Sequence, residues 1–218
     1  MDGLPLNEVE TRVLGSLIEK EVTTPEYYPL SLNALTNACN QLTNRDPVVA
    51  LGEPAVLRAV ESLRDKRLAY VLSGAVNRVL KYGHKTAEVL ELSRPELAVV
   101  CVLMLRGPQT LGEIRGRSGR LHEFKDLAEV QAVLQALVTR PRPLAVCLPR
   151  QAGTKESRYA HLLAGEVTTG APAAPPPAEA SSAQETGRLE QLEKEVASLR
   201  SEIADLRRQF AEFKKQFE

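Results

Sequence analysis

After Lys66-Arg67 the apolar residues stop recurring at every third or fourth position and begin to alternate, and the same change follows Pro141 and Pro143. Such a switch marks the passage from amphipathic helix to half-buried strand. Each time, three helical stretches come before it and a hairpin after it. In the first set Asn7 and Glu10 supply an N-cap and its partner at the third helical position, ahead of Val9, Val13, Leu14, Leu17 and Ile18. Thr23, Thr24 and Pro25 end that helix, and a second starts at Ser31 with Leu32, Leu35 and Ala38 on one face. The third has Pro54 in its first turn, where a missing N–H costs nothing, and a stripe of Val56, Leu57, Val60 and Leu63. LAYVL (68–72) and RVLKY (78–82) then form a hairpin around Ser73-Gly74.

The second set repeats that order. Ser93 and Pro95 open a helix running to Arg106, which Gly107-Pro108 stops. Thr110 with Glu113 and Asp126 with Glu129 start the next two, and LAVCL (144–148) pairs with SRYAHLL (157–163). SLNAL (31–35) lies over TLGEI (110–114), and Val60 and Leu63 fall on Leu134 and Leu137. Three short helices and a two-stranded hairpin are the winged helix-turn-helix pattern. The expected fold is therefore mainly α with small β-hairpins (α+β), built as two tandem winged-helix units, residues 1–85 and 86–164. Each unit is small for an independent core, so the two are expected to pack together, with residues 86–92 bridging them.

Residues 165–187 are rich in Ala, Pro and Glu with PAAPPP at their centre, and they read as a flexible linker. Residues 188–218 read as a coiled-coil helix. Leu189, Val196 and Ile203 take the a positions and Leu192, Leu199 and Leu206 the d positions. Branched a residues with Leu at d favour two parallel strands. A parallel pairing also sets Arg188 against Glu193, Glu195 against Arg200 and Glu202 against Arg207 of a second copy. A parallel homodimer is the expected assembly; the alternative is a single amphipathic helix folding back on the body.

The run LNEVETRVLGSLIEKEVTTPEYYPLSLNALTNACNQLTNRDPVV, with RPELAVVCVLMLRGPQTLGEIRGRS and KESRYAHLL after it, resembles the YceH family of bacterial proteins of unknown function. The resemblance covers residues 4 to about 164. It implies a tandem winged-helix fold and no assigned activity.

Composition narrows the function. Lys plus Arg and Asp plus Glu each number 28, so the chain is no polycation, yet residues 1–165 carry 21 basic against 18 acidic groups. With no Trp, five Tyr and four Phe there is little to stack on unpaired bases. Cys39, Cys101 and Cys147 lie far apart and read as buried thiols. The N-terminus is too polar for a signal peptide, and the longest apolar run, LAVVCVLML (97–105), is half a membrane span. A cytoplasmic protein without membrane contact is expected.

No P-loop, GxGxxG, nucleophile elbow or metal-ligand spacing is present in the sequence, so neither enzyme chemistry nor a cofactor is expected. Basic residues gather where a helix-turn-helix meets DNA. In the first unit these are Arg58, Arg64, Arg78 and Lys81, with Asn40, Gln41, Asn44 and Arg45 ahead of the third helix. Amides and guanidiniums suit base edges and phosphates; the competing reading of that run is turn chemistry. The second unit offers Arg115, Arg117, Arg120, Lys125, Arg150 and Lys155. Against this, Glu53 and Glu61 lie on the first third helix, and its counterpart has no base before Arg140. Duplex DNA bound by a homodimer is the expected partner. The alternative is a scaffold that binds another protein through its helical faces and coiled coil.

Overall fold

The computed structural model describes the backbone of residues 5–74, 77–150 and 156–165, and all of these fall in one compact unit. The side chains of residues 74–78, the expected linker after residue 165 and the heptad residues Leu189 to Leu206 lie outside the described residues. The fold is mixed α and β, with seven α-helices and two small antiparallel sheets among the described residues.

Helix α1 (Glu8–Thr23) starts at the expected capping box: Asn7 Oδ1 accepts from Glu10 N at 2.9 Å, and Glu10 Oε2 accepts from Asn7 N at 2.8 Å. A short strand β1 (Leu30–Ser31) leads into α2 (Leu32–Cys39), capped by the Ser31 hydroxyl. Helix α3 (Glu53–Asp65) carries Pro54 in its first turn. Strands β2 (Ala69–Gly74) and β3 (Asn77–His84) follow, and the sheet order is β1-β3-β2. A one-turn helix α4 (Thr86–Val89) connects to α5 (Arg94–Arg106), α6 (Leu111–Ser118) and α7 (Leu127–Thr139). Strands β4 (Ala145–Cys147) and β5 (Tyr159–His161) close the order.

The halves share more than their element order. In the first, β1 sits just before α2 and pairs with β3, Leu30 opposite Tyr82. In the second, Gln109 lies just before α6 and bridges to Tyr159 of β5 through backbone bonds of 2.9 and 2.7 Å. A two-residue strand and a single bridge produce no readable alternation, which is why the sequence shows only the hairpins.

Helices α1 and α5 form the centre. Residues 10–19 of α1 and 97–105 of α5 are buried without interruption. A helix apolar on one stripe normally exposes its other face; in α1 that other face carries Glu10, Thr11, Arg12, Ser16 and Glu19, and the fold buries them as well. One continuous core, from Leu14 and Leu35 through Val60 and Leu103 to Leu134, joins both halves. Gly15 permits the close approach of α1 and α5. A Cβ there would lie 2.9 Å from Leu105 Cδ2 and 3.3 Å from Met104 Cβ, and the Cys101 thiol donates to the Gly15 carbonyl at 3.4 Å. Gly15→Val is expected to force the helices apart and cost about 1–3 kcal/mol, read as a lower urea midpoint.

One thiol differs from expectation. Cys39 and Cys101 are buried, but Cys147 is exposed. It ends a three-residue strand whose burial falls from Ala145 outward, so the strand has run past the edge of the core.

Candidate nucleic-acid interface

Of the run from Asn40 to Arg45, Asn40, Gln41 and Asn44 are half-buried, and Leu42 and Thr43 are exposed. Only Arg45 is buried, and its guanidinium grips Glu19 with two bonds, Nη2 to Oε2 at 2.6 Å and Nη1 to Oε1 at 3.2 Å. Its Nε and Nη2 also donate to the Ala38 carbonyl, at 3.2 and 2.8 Å, and Nη2 donates to Gln41 Oε1 at 3.3 Å. Arg12 donates to the Cys39 and Pro47 carbonyls at 3.3 and 2.5 Å. The last carbonyls of a helix have no partner within it, and cations there also complement its dipole. Arg45 and Arg12 fill both needs for α2.

Asn40 and Asn44 are committed too. Asn40 pairs with the Leu51 backbone like a second peptide, Nδ2 to O and N to Oδ1, both at 2.8 Å. Asn44 takes a positive φ of 59°, tolerated by this side chain, and its Oδ1 accepts from Arg106. Asp46 N donates to Leu105 O at 2.9 Å. Residues 40–52 thus strap the two halves together, and Asn40, Gln41, Asn44 and Arg45 are internal ties. Most of these ties are long-range, reaching Leu51, Glu19 and Arg106, rather than the local bonds of turn chemistry.

The other described basic candidates are exposed or half-buried. Arg58 and Arg64 are exposed on α3, beside exposed Glu53 and Glu61. Lys81 is half-buried on β3 opposite Leu72. Arg150 is exposed, while the Arg78 side chain and Lys155 lie outside the described residues.

The densest positive charge surrounds the end of α6. Arg115, Arg117, Arg120 and Lys125 are all exposed there. Arg115 steadies the turn into α7 by donating to the Lys125 carbonyl at 2.9 Å. Arg117 donates to Gln109 Oε1 and lies 3.5 Å from Glu113. Arg106, from the end of α5, meets them, a convergence that local sequence could not show. Together with Glu19 and Asn44, residues Arg106, Arg117 and Arg120 line a small void of about 30 Å³, room for a water or a small ion. Burial, and then repulsion from Arg117 and Arg45, hold the Arg106 guanidinium below the usual arginine value. The carboxylates of Glu19 and Asp46 act the other way on it.

No helix among the described residues is long and apolar enough to cross a membrane. A family model described as "Protein of unknown function, DUF480" matches residues 6–154. Relatives align over most of the chain. A UPF0502 protein of Opitutus terrae is 55% identical over 197 residues, covering 89% of this chain and 83% of its own. One from Geotalea daltonii is 58% identical over 192 residues, with 87% and 88% covered. Another, from Vibrio parahaemolyticus, is 52% identical over 199 residues, with 89% and 91% covered. With the family pattern spanning most of the described body and such relatives along nearly the whole chain, this protein belongs to the DUF480 family, whose members here carry the name UPF0502 protein.

Proposed function

We propose that the chain is a non-enzymatic, cytoplasmic tandem winged-helix protein, as the YceH resemblance implies, and that it binds duplex DNA as a homodimer. The observation that carries the DNA reading is the guanidinium corner at the end of α6, where Arg106, Arg117 and Arg120 converge. Phosphate oxygens are the acceptors such forks fit best. Arg58 and Arg64 on α3 are further exposed basic residues, and the matching order of helices and strands in the two halves supports two like modules. Arg45 is buried and half-buried Asn40 is bonded to the Leu51 backbone, so binding rests mainly on the phosphate backbone and is expected to be salt-sensitive and weakly sequence-selective.

Fluorescence anisotropy on a random duplex tests this. Arg115, Arg117 and Arg120 changed together to Ala should weaken binding at low salt by about tenfold, and should flatten the slope of log K against log salt by about 2–3 units. The same three positions changed to Lys should retain most of the affinity, which separates charge from the structural bonds of Arg115 and Arg117. Equal affinity for the Ala variant would remove this corner from DNA binding.

Dimerisation rests on the heptads Leu189 to Leu206, which lie outside the described residues. Leu192→Glu with Leu199→Glu should halve the mass measured by light scattering if the seam joins two copies. A second reading has its own support. The outward face of α7 carries exposed Leu127, Ala128, Gln131, Ala132, Gln135 and Ala136 with no charge among them, a surface better suited to another protein than to phosphates. Retained binding of a protein partner after nuclease treatment would favour that reading.

A further inference from the structure

A cleft of about 570 Å³ opens on the side of the body where the two halves adjoin. That volume falls in the range of small-molecule sites. Its floor is apolar, with Leu6 and Leu68 from the first half and Leu144 and Leu162 from the second. Its rim carries Lys66, Arg140 and Arg142 against one carboxylate, Glu91.

These charges are not equivalent. Lys66 is compensated by Glu10, 2.6 Å away. Arg140 donates instead to two neutral acceptors, the Leu90 carbonyl at 3.0 Å and the Glu91 carbonyl at 2.6 Å. Those bonds fix the guanidinium in place and leave its positive charge standing. They also clamp the backbone at Glu91, which takes a φ of +50°, in the left-handed region that a glutamate seldom occupies. Strained backbone held by its surroundings is common beside ligands.

We propose that this cleft is a binding site for a small amphipathic anion, a carboxylate on an aliphatic or aromatic body, with the body on the leucine floor and the carboxylate toward Arg140 and Arg142. The site is independent of the DNA reading, since none of its residues belongs to the α6 corner. Because its walls come from both halves, an occupant would brace them against each other and raise the melting temperature by linkage.

Octanoate is the test ligand, with octylamine and octanol as chain-length controls, titrated into the full chain by calorimetry and thermal shift. Octanoate should bind saturably with Kd below about 1 mM and raise the melting temperature. Octylamine and octanol should bind at least about tenfold more weakly, a margin set by the charge alone. Arg142→Glu should weaken octanoate by about tenfold or more and leave octanol unchanged, while Leu162→Trp should weaken both by filling the floor. Comparable melting of the unliganded variants establishes that they are folded. No saturable octanoate binding, equal binding of octylamine, or an indifferent Arg142→Glu variant would overturn the proposal; the last would do so even if octanoate itself bound.

Discussion

Glu19→Ala is expected to destabilise the protein by about 3–5 kcal/mol, the loss typical of leaving one member of a buried ion pair without its partner. Arg45 has no exposed side-chain surface, and Glu19 has 11%. Removing the carboxylate strands a guanidinium that cannot swing into water without tearing its bonds to the carbonyls of Ala38 and Asn44. The loss should spread, because the same strap carries the Asp46 bond to Leu105 and the Asn44 contact to Arg106. Glu19→Gln keeps the volume and an acceptor, and should fall between the parent and the alanine variant. Urea titrations at neutral pH measure both changes. A loss below about 1 kcal/mol would mean that the pair is solvated, as surface ion pairs are.

That pair also marks the limit of what the chain discloses by itself. Caps and stops are local, so Asn7 with Glu10, Thr110 with Glu113 and the halt at Gly107 could be read directly and are found in place. Asp126 caps α7 as expected, but Glu129 turns to the backbone N–H of Lys125 instead of completing the reciprocal box. Arg45 finds its carboxylate 26 positions earlier, on a helix face that looks solvated until α5 is laid against it. From sequence alone, an arginine in a polar turn is equally a phosphate ligand or a tie. The cluster at Arg115, Arg117 and Arg120 was legible as charge density. Its meeting with Arg106 was not, because the ends of α5 and α6 are brought together only by tertiary packing. The cleft was hidden for the same reason: Leu6 and Leu162 share it through a chain reversal, with Leu6 N bonded to Leu163 O at 2.7 Å.

Between pH 6.5 and about 4 the protein is expected to lose stability progressively, by up to about 3 kcal/mol, through His161 alone. Burial pushes this imidazole down from 6.5 to about 4, and its Nδ1 has no hydrogen-bond partner among the described residues. The folded state therefore holds the ring neutral while the unfolded chain takes up a proton. Unfolding gains that proton as pH falls through 6.5, and the difference stops growing below about 4, where both states are charged. A separate acid limb lies lower. Glu21 is held below the usual carboxylate value by its bond with His84, 3.0 Å away, against the opposing effect of burial. At Glu10 burial acts upward, but bonds with Lys66, Ser62 and the Asn7 backbone outweigh it and hold the carboxyl down. Both carboxylates contribute stability that is intact above their unfolded values, about 4.3, and is lost as pH falls through the lower folded ones. Urea midpoints measured from pH 7 to 3 should separate the two windows. His161→Phe should flatten the upper one and leave the lower intact, whereas Lys66→Met should weaken only the lower. An upper window that persists in His161→Phe would assign that proton uptake to another group.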